Sequence, residues 1–199
     1  PIYFGNEVID IKRVDDIYNI KTKKDTYKTR WVVNAAGLYS DRVSKMLGID
    51  DYTIHPCRGE YFILDEKVGS KLSLPAYPVP NPKEGGLGIH LTPTIDGNVF
   101  IGPSSEYIDE RDDYSATQKI MDLLIKDGGR IFPHIRREEF IRNFAGIRPK
   151  LASKEEGGYH DFVIEMRDKS PNTINLVGIE SPGLTSSTPI AKYVVSLLK

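Results

Sequence analysis

The chain has 199 residues, 39% of them apolar and 28% charged, a balance that fits one or two globular modules and excludes a disordered tail or a fibre. Its 27 Lys and Arg nearly cancel its 28 Asp and Glu, so no sequence-wide basic field draws nucleic acid or anionic lipid. No uncharged apolar run approaches the ~18 residues of a membrane span. A single cysteine, Cys57, excludes an internal disulfide framework and a Cys-based metal cluster, and makes a reducing compartment, the cytoplasm, the expected location.

The first residues, Pro1-Ile2-Tyr3-Phe4, carry neither a methionine nor a signal-peptide pattern and are already strand-like, so the chain is expected to be part of a longer protein. Residues 1–33 read as a β-meander: Val8–Ile11, Ile17–Ile20 and Tyr27–Val33, with Lys23-Lys24-Asp25 as a polar turn. The third strand runs into Val32-Val33-Asn34-Ala35-Ala36-Gly37, which turns apolar and small as a strand does on entering a buried parallel sheet. Ser40 is the expected N-cap of a short helix with Val43, Met46 and Leu47 on one stripe and Gly48 as its stop.

The middle of the chain reads as strands broken by Pro and Gly: Glu60–Leu64, Gly88–Thr92 and Asn98–Ile101, the last after an Asp96-Gly97-Asn98 hairpin signal. Pro75–Pro82 lacks a backbone donor at four positions and reads as an irregular crossing or a lid. Ser115-Ala116-Thr117-Gln118 reads as a capping box, followed by the stripe Met121, Leu124 and Ile125 and ended by Gly128-Gly129. Further strands are expected at Glu139–Ala145, Asp161–Met166 and Thr173–Gly178, then a Gly/Ser/Thr loop and a helix with Thr188 as N-cap and Pro189 at its first position. The fold class expected is α+β. Residues 1–53 and 171–199 form an α/β part, and 54–170 form an antiparallel sheet with one helix and a turn at 145–149.

Five segments carry possible chemistry. The loop Gly183-Leu184-Thr185-Ser186 precedes a helix whose first N–H groups and dipole suit an anionic ligand edge, or it is an ordinary capped helix start. Asn34-Ala35-Ala36-Gly37 ends a strand without bulk, so a flat ligand or a neighbouring helix can lie against the backbone. Arg148, between Gly146 and Pro149, offers a planar fork for carboxylate or phosphate, or makes a surface ion pair. His55-Pro56-Cys57-Arg58-Gly59-Glu60 and Gly88-Ile89-His90-Leu91-Thr92-Pro93 each place polar residues beside a strand. No HExxH, nucleophile elbow, P-loop or GxGxxG is present.

In this order the segments resemble the FAD-dependent D-amino-acid-oxidase-like superfamily. They are Val32–Asp41, His55–Gly59, Ala145–Pro149 and the terminal loop and helix. Pro78-Val79-Pro80, Gly88–Gly97 and Ile101-Gly102-Pro103 look most like its L-2-hydroxyglutarate oxidase branch, with glycerol-3-phosphate dehydrogenase nearby. The resemblance implies FAD as cofactor and hydride transfer from a small 2-hydroxy acid or glycerol 3-phosphate. An amine or amino-acid oxidase, or a cofactor-free binding module, stands as the alternative. It implies that Val8, Ala36 and Gly37 lie along the adenosine half of FAD, and that Gly183, Leu184, Thr185 and Ser186 reach the flavin's pyrimidine edge. It further implies that Arg148 binds the substrate anion, that His90 deprotonates or polarises its hydroxyl, and that Arg58 supports either ligand; no metal is implied. The superfamily's opening GxGxxG has no counterpart here. A preceding segment of the same protein is therefore the expected partner, and weak FAD binding by these residues alone is expected.

Overall fold

A computed structural model describes residues 1–79, 88–133, 135–157 and 160–198. It resolves two units, one of Pro1–Ile54, Pro149–Leu151 and His160–Lys199, the other of His55–Arg148 and Ala152–Tyr159. Residues 160–170, grouped in the sequence reading with the middle of the chain, thus belong with the two chain ends, because their strand pairs there.

The first unit opens with an antiparallel meander, β1 (Val8–Val14), β2 (Ile17–Thr22) and β3 (Thr26–Thr29). The expected third strand does not run on to Val33. The Thr29 hydroxyl bonds the Trp31 carbonyl at 2.9 Å and folds the chain at Arg30-Trp31. Beyond that kink β4 (Val32–Asn34) joins a second sheet. There β10 (Val163–Arg167) pairs antiparallel with β11 (Ser170–Val177), and β11 pairs parallel with β4 in the register Thr173 to Val32 and Asn175 to Asn34.

Two helices cover these sheets. α1 (Ser40–Met46) follows a single 3-10 turn, Gly37–Tyr39. Ser40 does not cap it: the residue is already helical and its side chain is fully buried, so Tyr39 occupies the cap position and its side chain makes no capping bond to the helix. The stripe Val43, Met46 and Leu47 packs on Ile11, Tyr18 and Val32, and Gly48 at φ +78° ends the helix. α4 (Ser187–Leu197) presents Ile190, Val194 and Leu197 at helical spacing to Ile174 and Leu176 of β11. It starts two residues earlier than its proline suggests. Pro189 falls inside the first turn, where a missing N–H costs nothing because the first donors of a helix have no intrahelical acceptor.

The second unit is an antiparallel sheet built on β5 (His55–Leu64). β6 (His90–Pro93) pairs β7 (Val99–Gly102); β7 and then β8 (Glu106–Tyr107) pair β5, and β9 (Phe140–Lys150) also pairs β5. Residues 145–149, expected as a turn, are strand. α2 (Glu66–Gly69) is one turn capped by Asp65, and α3 (Gln118–Ile131) is the long helix. The N-cap of α3 is Thr117, whose hydroxyl accepts the Ile120 N–H, while the Ser115 hydroxyl instead accepts from Arg58. The helix also passes through Gly128-Gly129 to Ile131. A Cβ on Gly128 would run into Ile101 Cδ1, so this glycine is a packing residue, not a stop. Phe62, Leu64, Leu91, Val99 and Ile101 form the core with Ile120 and Leu124 of α3. The crossing expected at Pro75–Pro82 is described to Val79, where Ala76 exchanges two backbone bonds of 2.9 Å with Leu91; residues 80–87 lie outside the described residues.

Candidate functional site

Each unit brings together part of the expected site. In the first, Gly37 and Gly183 line one cleft of about 420 Å3, with Val33 and Ala35 on one side and Ile190 and Val194 on the other. The turn at its floor is held from beneath. Asn34 Nδ2 donates to the Ser40 carbonyl at 2.8 Å and to Asn175 Oδ1 at 2.9 Å, Ser44 Oγ donates to Asn175 Oδ1 at 2.8 Å, and the Ala36 N–H donates to Asn34 Oδ1. Asn34 and Asn175 are the signal that a reading focused on small residues missed: polar side chains in otherwise apolar strand ends, paired with each other across parallel strands. Gly37 sits at φ +55° with open space where a Cβ would point, so its conformation, not crowding, requires glycine.

Of the loop Gly183–Ser186 only Gly183 lines the cleft, followed by Ser187 at the start of α4. Gly183 is buried and cannot carry a Cβ, which would meet Ile179 Cγ2 and the Glu180 carbonyl, whereas Leu184 is 91% exposed. The Gly183 N–H donates to Glu180 and the Ser186 N–H to Pro182, so these two donors are used by the turn. The N–H groups of Leu184 and Thr185 have no partner among the described residues, and Ser186 caps α4 without a side-chain bond. Lys150, buried at the end of β9, reaches Glu180 at 3.3 Å and anchors the loop's start. An apolar cleft that reaches Gly183 and Ser187 at a helix N-terminus can take a flat ring system. Val8 lies elsewhere: its side chain packs against the Ile11, Tyr18, Val32 and Leu47 core and does not line this cleft.

In the second unit the alternation along β5 decides which residues meet. Phe62 and Leu64 turn into the core, so Cys57, Gly59 and Tyr61 share the opposite face. Arg148 lies across that face. Its Nη2 donates to the Ser104 carbonyl at 2.7 Å and its Nη1 to Cys57 Sγ at 3.3 Å, and a Cβ on Gly59 would meet the guanidinium. Two of its five N–H donors are spent on holding it and the others stay available to an anion. Tyr61 stacks on Phe144 with centroids 5.1 Å apart and planes 5° apart, and meets His90 edge-on at 6.4 Å. His90 Nδ1 lies 2.9 Å from the Gly88 carbonyl. A carbonyl only accepts, so this contact puts the hydrogen on Nδ1 and leaves the lone pair on Nε2. Leu91 is in the core and pairs with Ile101, which sends His90 to the same face as Tyr61.

Arg58 points the other way. Its guanidinium donates to Asp113 and to Ser115 Oγ through Nη1, donates to Glu106 at 2.7 Å through Nη2, and lies 3.7 Å from the fully buried Glu60. Glu60 in turn accepts the Thr117 N–H at 2.5 Å. The side chain expected to support a ligand is thus enclosed by protein acids at the start of α3, and its burial removes it from the face that carries Arg148 and His90.

The residue pattern of the DAO family, the FAD dependent oxidoreductases, matches residues 1–197. The chain belongs to this family. Among FAD dependent oxidoreductases it is 36% identical over 198 residues to the glycerol 3-phosphate dehydrogenase of Caloramator mitchellensis, covering all of this chain and 40% of that protein. It is 36% identical over 180 residues to the mitochondrial L-2-hydroxyglutarate dehydrogenase of Arabidopsis thaliana, covering 83% of this chain and 37% of that one. The dithionite-reduced, FAD-bound L-alpha-glycerophosphate oxidase of Mycoplasma pneumoniae superposes with a TM-score of 0.79 at 28% identity, over 97% of this chain and 50% of its own. The chain spans about half the length of these relatives or less. Among the described residues no helix is long and apolar enough to cross a membrane.

Proposed function

We propose that this chain is the C-terminal part of an FAD-dependent dehydrogenase or oxidase that oxidises a small anionic hydroxy compound, a 2-hydroxy acid or glycerol 3-phosphate. The single observation that carries the reading is the shared face of the second unit, where Arg148 crosses at Gly59 and His90, with its Nδ1 held by Gly88, meets Tyr61 two residues further along the same strand. When bound, FAD supplies the two-electron acceptor, which no protein side chain provides.

The residues divide the remaining work. Arg148 binds the carboxylate or phosphate, fixed in direction by Ser104 and Cys57. His90 receives the hydroxyl proton on Nε2, with its Nδ1–H held by Gly88 so that the ring keeps its orientation. Leu184 and Thr185 offer their N–H groups, and Gly37 an open Cβ position, to the cofactor, while Ala36, its N–H and carbonyl both bonded, holds the turn that presents Gly37. Val8 contributes through the meander it helps to pack, and Arg58 through the framework of β5. The absence of a GxGxxG from these 199 residues supports a role for a preceding segment in binding the diphosphate. A single buried cysteine supports a reducing compartment, the cytoplasm.

The test is an anaerobic titration of the complete gene product, reconstituted with FAD, by glycerol 3-phosphate and by L-2-hydroxyglutarate. Bleaching of the visible flavin bands by one of them is expected. A His90→Ala variant should keep the oxidised spectrum and lose about 10²–10⁴-fold in the rate of bleaching, the usual range for removal of a general base. A yellow wild-type protein that neither compound bleaches overturns the assignment.

A further inference from the structure

Tyr61 is the residue on this face that neither the motifs nor the family's name assigns. It follows Gly59 by two positions on β5, about 7 Å along the strand, on the side where Arg148 crosses. Its ring is fixed from two directions: stacked on Phe144, which is itself edge-on to Phe100 at 5.5 Å, and edge-on to His90. The phenol is half-buried, and its hydroxyl has no hydrogen-bond partner among the described residues. A solvent-reachable hydroxyl on a rigid ring, edge-on to His90 and near enough to feel the Arg148 charge, can donate to a ligand bound on this face.

We propose that Tyr61 is a specificity-determining contact whose hydroxyl donates to the substrate's anionic group alongside Arg148. This rests on the function proposed above. Burial pushes the phenol above its ordinary range while the Arg148 charge pulls it back, so the group stays a neutral donor through the physiological range. A neutral phenol next to an arginine favours a ligand oxygen that carries negative charge, since the bond to an ionised acceptor is roughly twice as strong as one to a neutral acceptor. It therefore discriminates a phosphate- or carboxylate-bearing alcohol from its uncharged analogue.

The experiment compares the wild-type gene product with Tyr61→Phe, both loaded with FAD. Phenylalanine keeps the stack on Phe144, so a merely structural role leaves the kinetics unchanged. The expected result is a KM about tenfold higher, with kcat within about twofold of wild type, for whichever of the two substrates bleaches the flavin. Inorganic phosphate, titrated as a competitive ligand by its perturbation of the flavin spectrum, should bind the variant about tenfold more weakly as well. Unchanged KM and unchanged phosphate affinity in Tyr61→Phe overturn the contact and leave the proposed function standing. A wild-type protein bleached by neither substrate overturns both.

Discussion

Buried charge is the feature of this chain with the steepest energetic consequences. Arg58 is enclosed by Glu60, Glu106 and Asp113, and of these only Glu60 is wholly removed from water. Replacing Arg58 with Met would leave that carboxylate without its counter-charge. The expected loss is about 3–5 kcal/mol of stability, measurable by urea unfolding. Asp113 gives the cluster its pH dependence. The Ser115 hydroxyl and N–H, and then Arg58, hold its carboxyl below the usual range. A carboxyl depressed in the folded state stabilises the fold above its unfolded pKa and ceases to do so as pH falls through the folded one. Thermal midpoints followed downward from neutral pH should therefore drop below about pH 4, the ordinary Asp range, and Asp113→Asn should flatten that fall. An Asp113→Asn protein with the wild-type acid limb would show that the pair contributes nothing. From sequence, Arg148 and Arg58 looked alike, each flanked by Gly or Pro. What separates them is parity on neighbouring strands, which sends one to the open face and the other into a nest of acids.

At the level of elements, the two adjacent glycines of α3 make opposite predictions. A methyl on Gly128 would collide with Ile101 in the core, whereas one on Gly129 meets nothing within 4 Å. Gly128→Ala should cost about 1–3 kcal/mol by overpacking. Gly129→Ala should gain about 0.5–1 kcal/mol, since glycine is the poorer helix former. Denaturant midpoints of the two variants check this, and equal shifts would contradict the packing described. Gly-Gly after an apolar stripe is a reasonable stop signal, and here it fails because the helix needs a small residue to approach the sheet. Ser40 fails as a cap for a related reason: its position is claimed by the polar cluster of Asn34, Ser44 and Asn175, which draws the residue inside the first turn. Helix existence, the Val43–Leu47 stripe and the Gly48 stop were legible because they depend on local periodicity alone.

Over the whole molecule, the chain leaves the first unit at His55, returns for Pro149–Leu151, leaves again and returns at His160. An α+β architecture was readable because an apolar, small-residue strand stands near each end and Pro/Gly-broken strands fill the middle. The return at 149–151 was not, since nothing in Pro149-Lys150-Leu151 differs locally from the strand before it. The same organisation bears on cofactor affinity. The first unit offers an apolar cleft and two free backbone donors but no glycine-rich phosphate loop in its sequence. The 199-residue chain by itself should therefore take up FAD weakly, which equilibrium dialysis measures directly. Tight one-to-one binding would mean that the diphosphate is held by residues other than those proposed.

The amino-acid order by itself determined most element types, the parallel character of the Val32–Asn34 strand and the family resemblance. These are carried by short-range periodicity and by residue chemistry, both of which survive without coordinates. Tertiary structure decided the pairing of Asn34 with Asn175, the burial of Arg58 among acids, the packing role of Gly128 and the place of Tyr61 against Phe144 and His90. Each of those depends on which strand lies beside which and in what register. A one-residue change of register exchanges the two faces of a strand, so no pattern within a single segment can specify them.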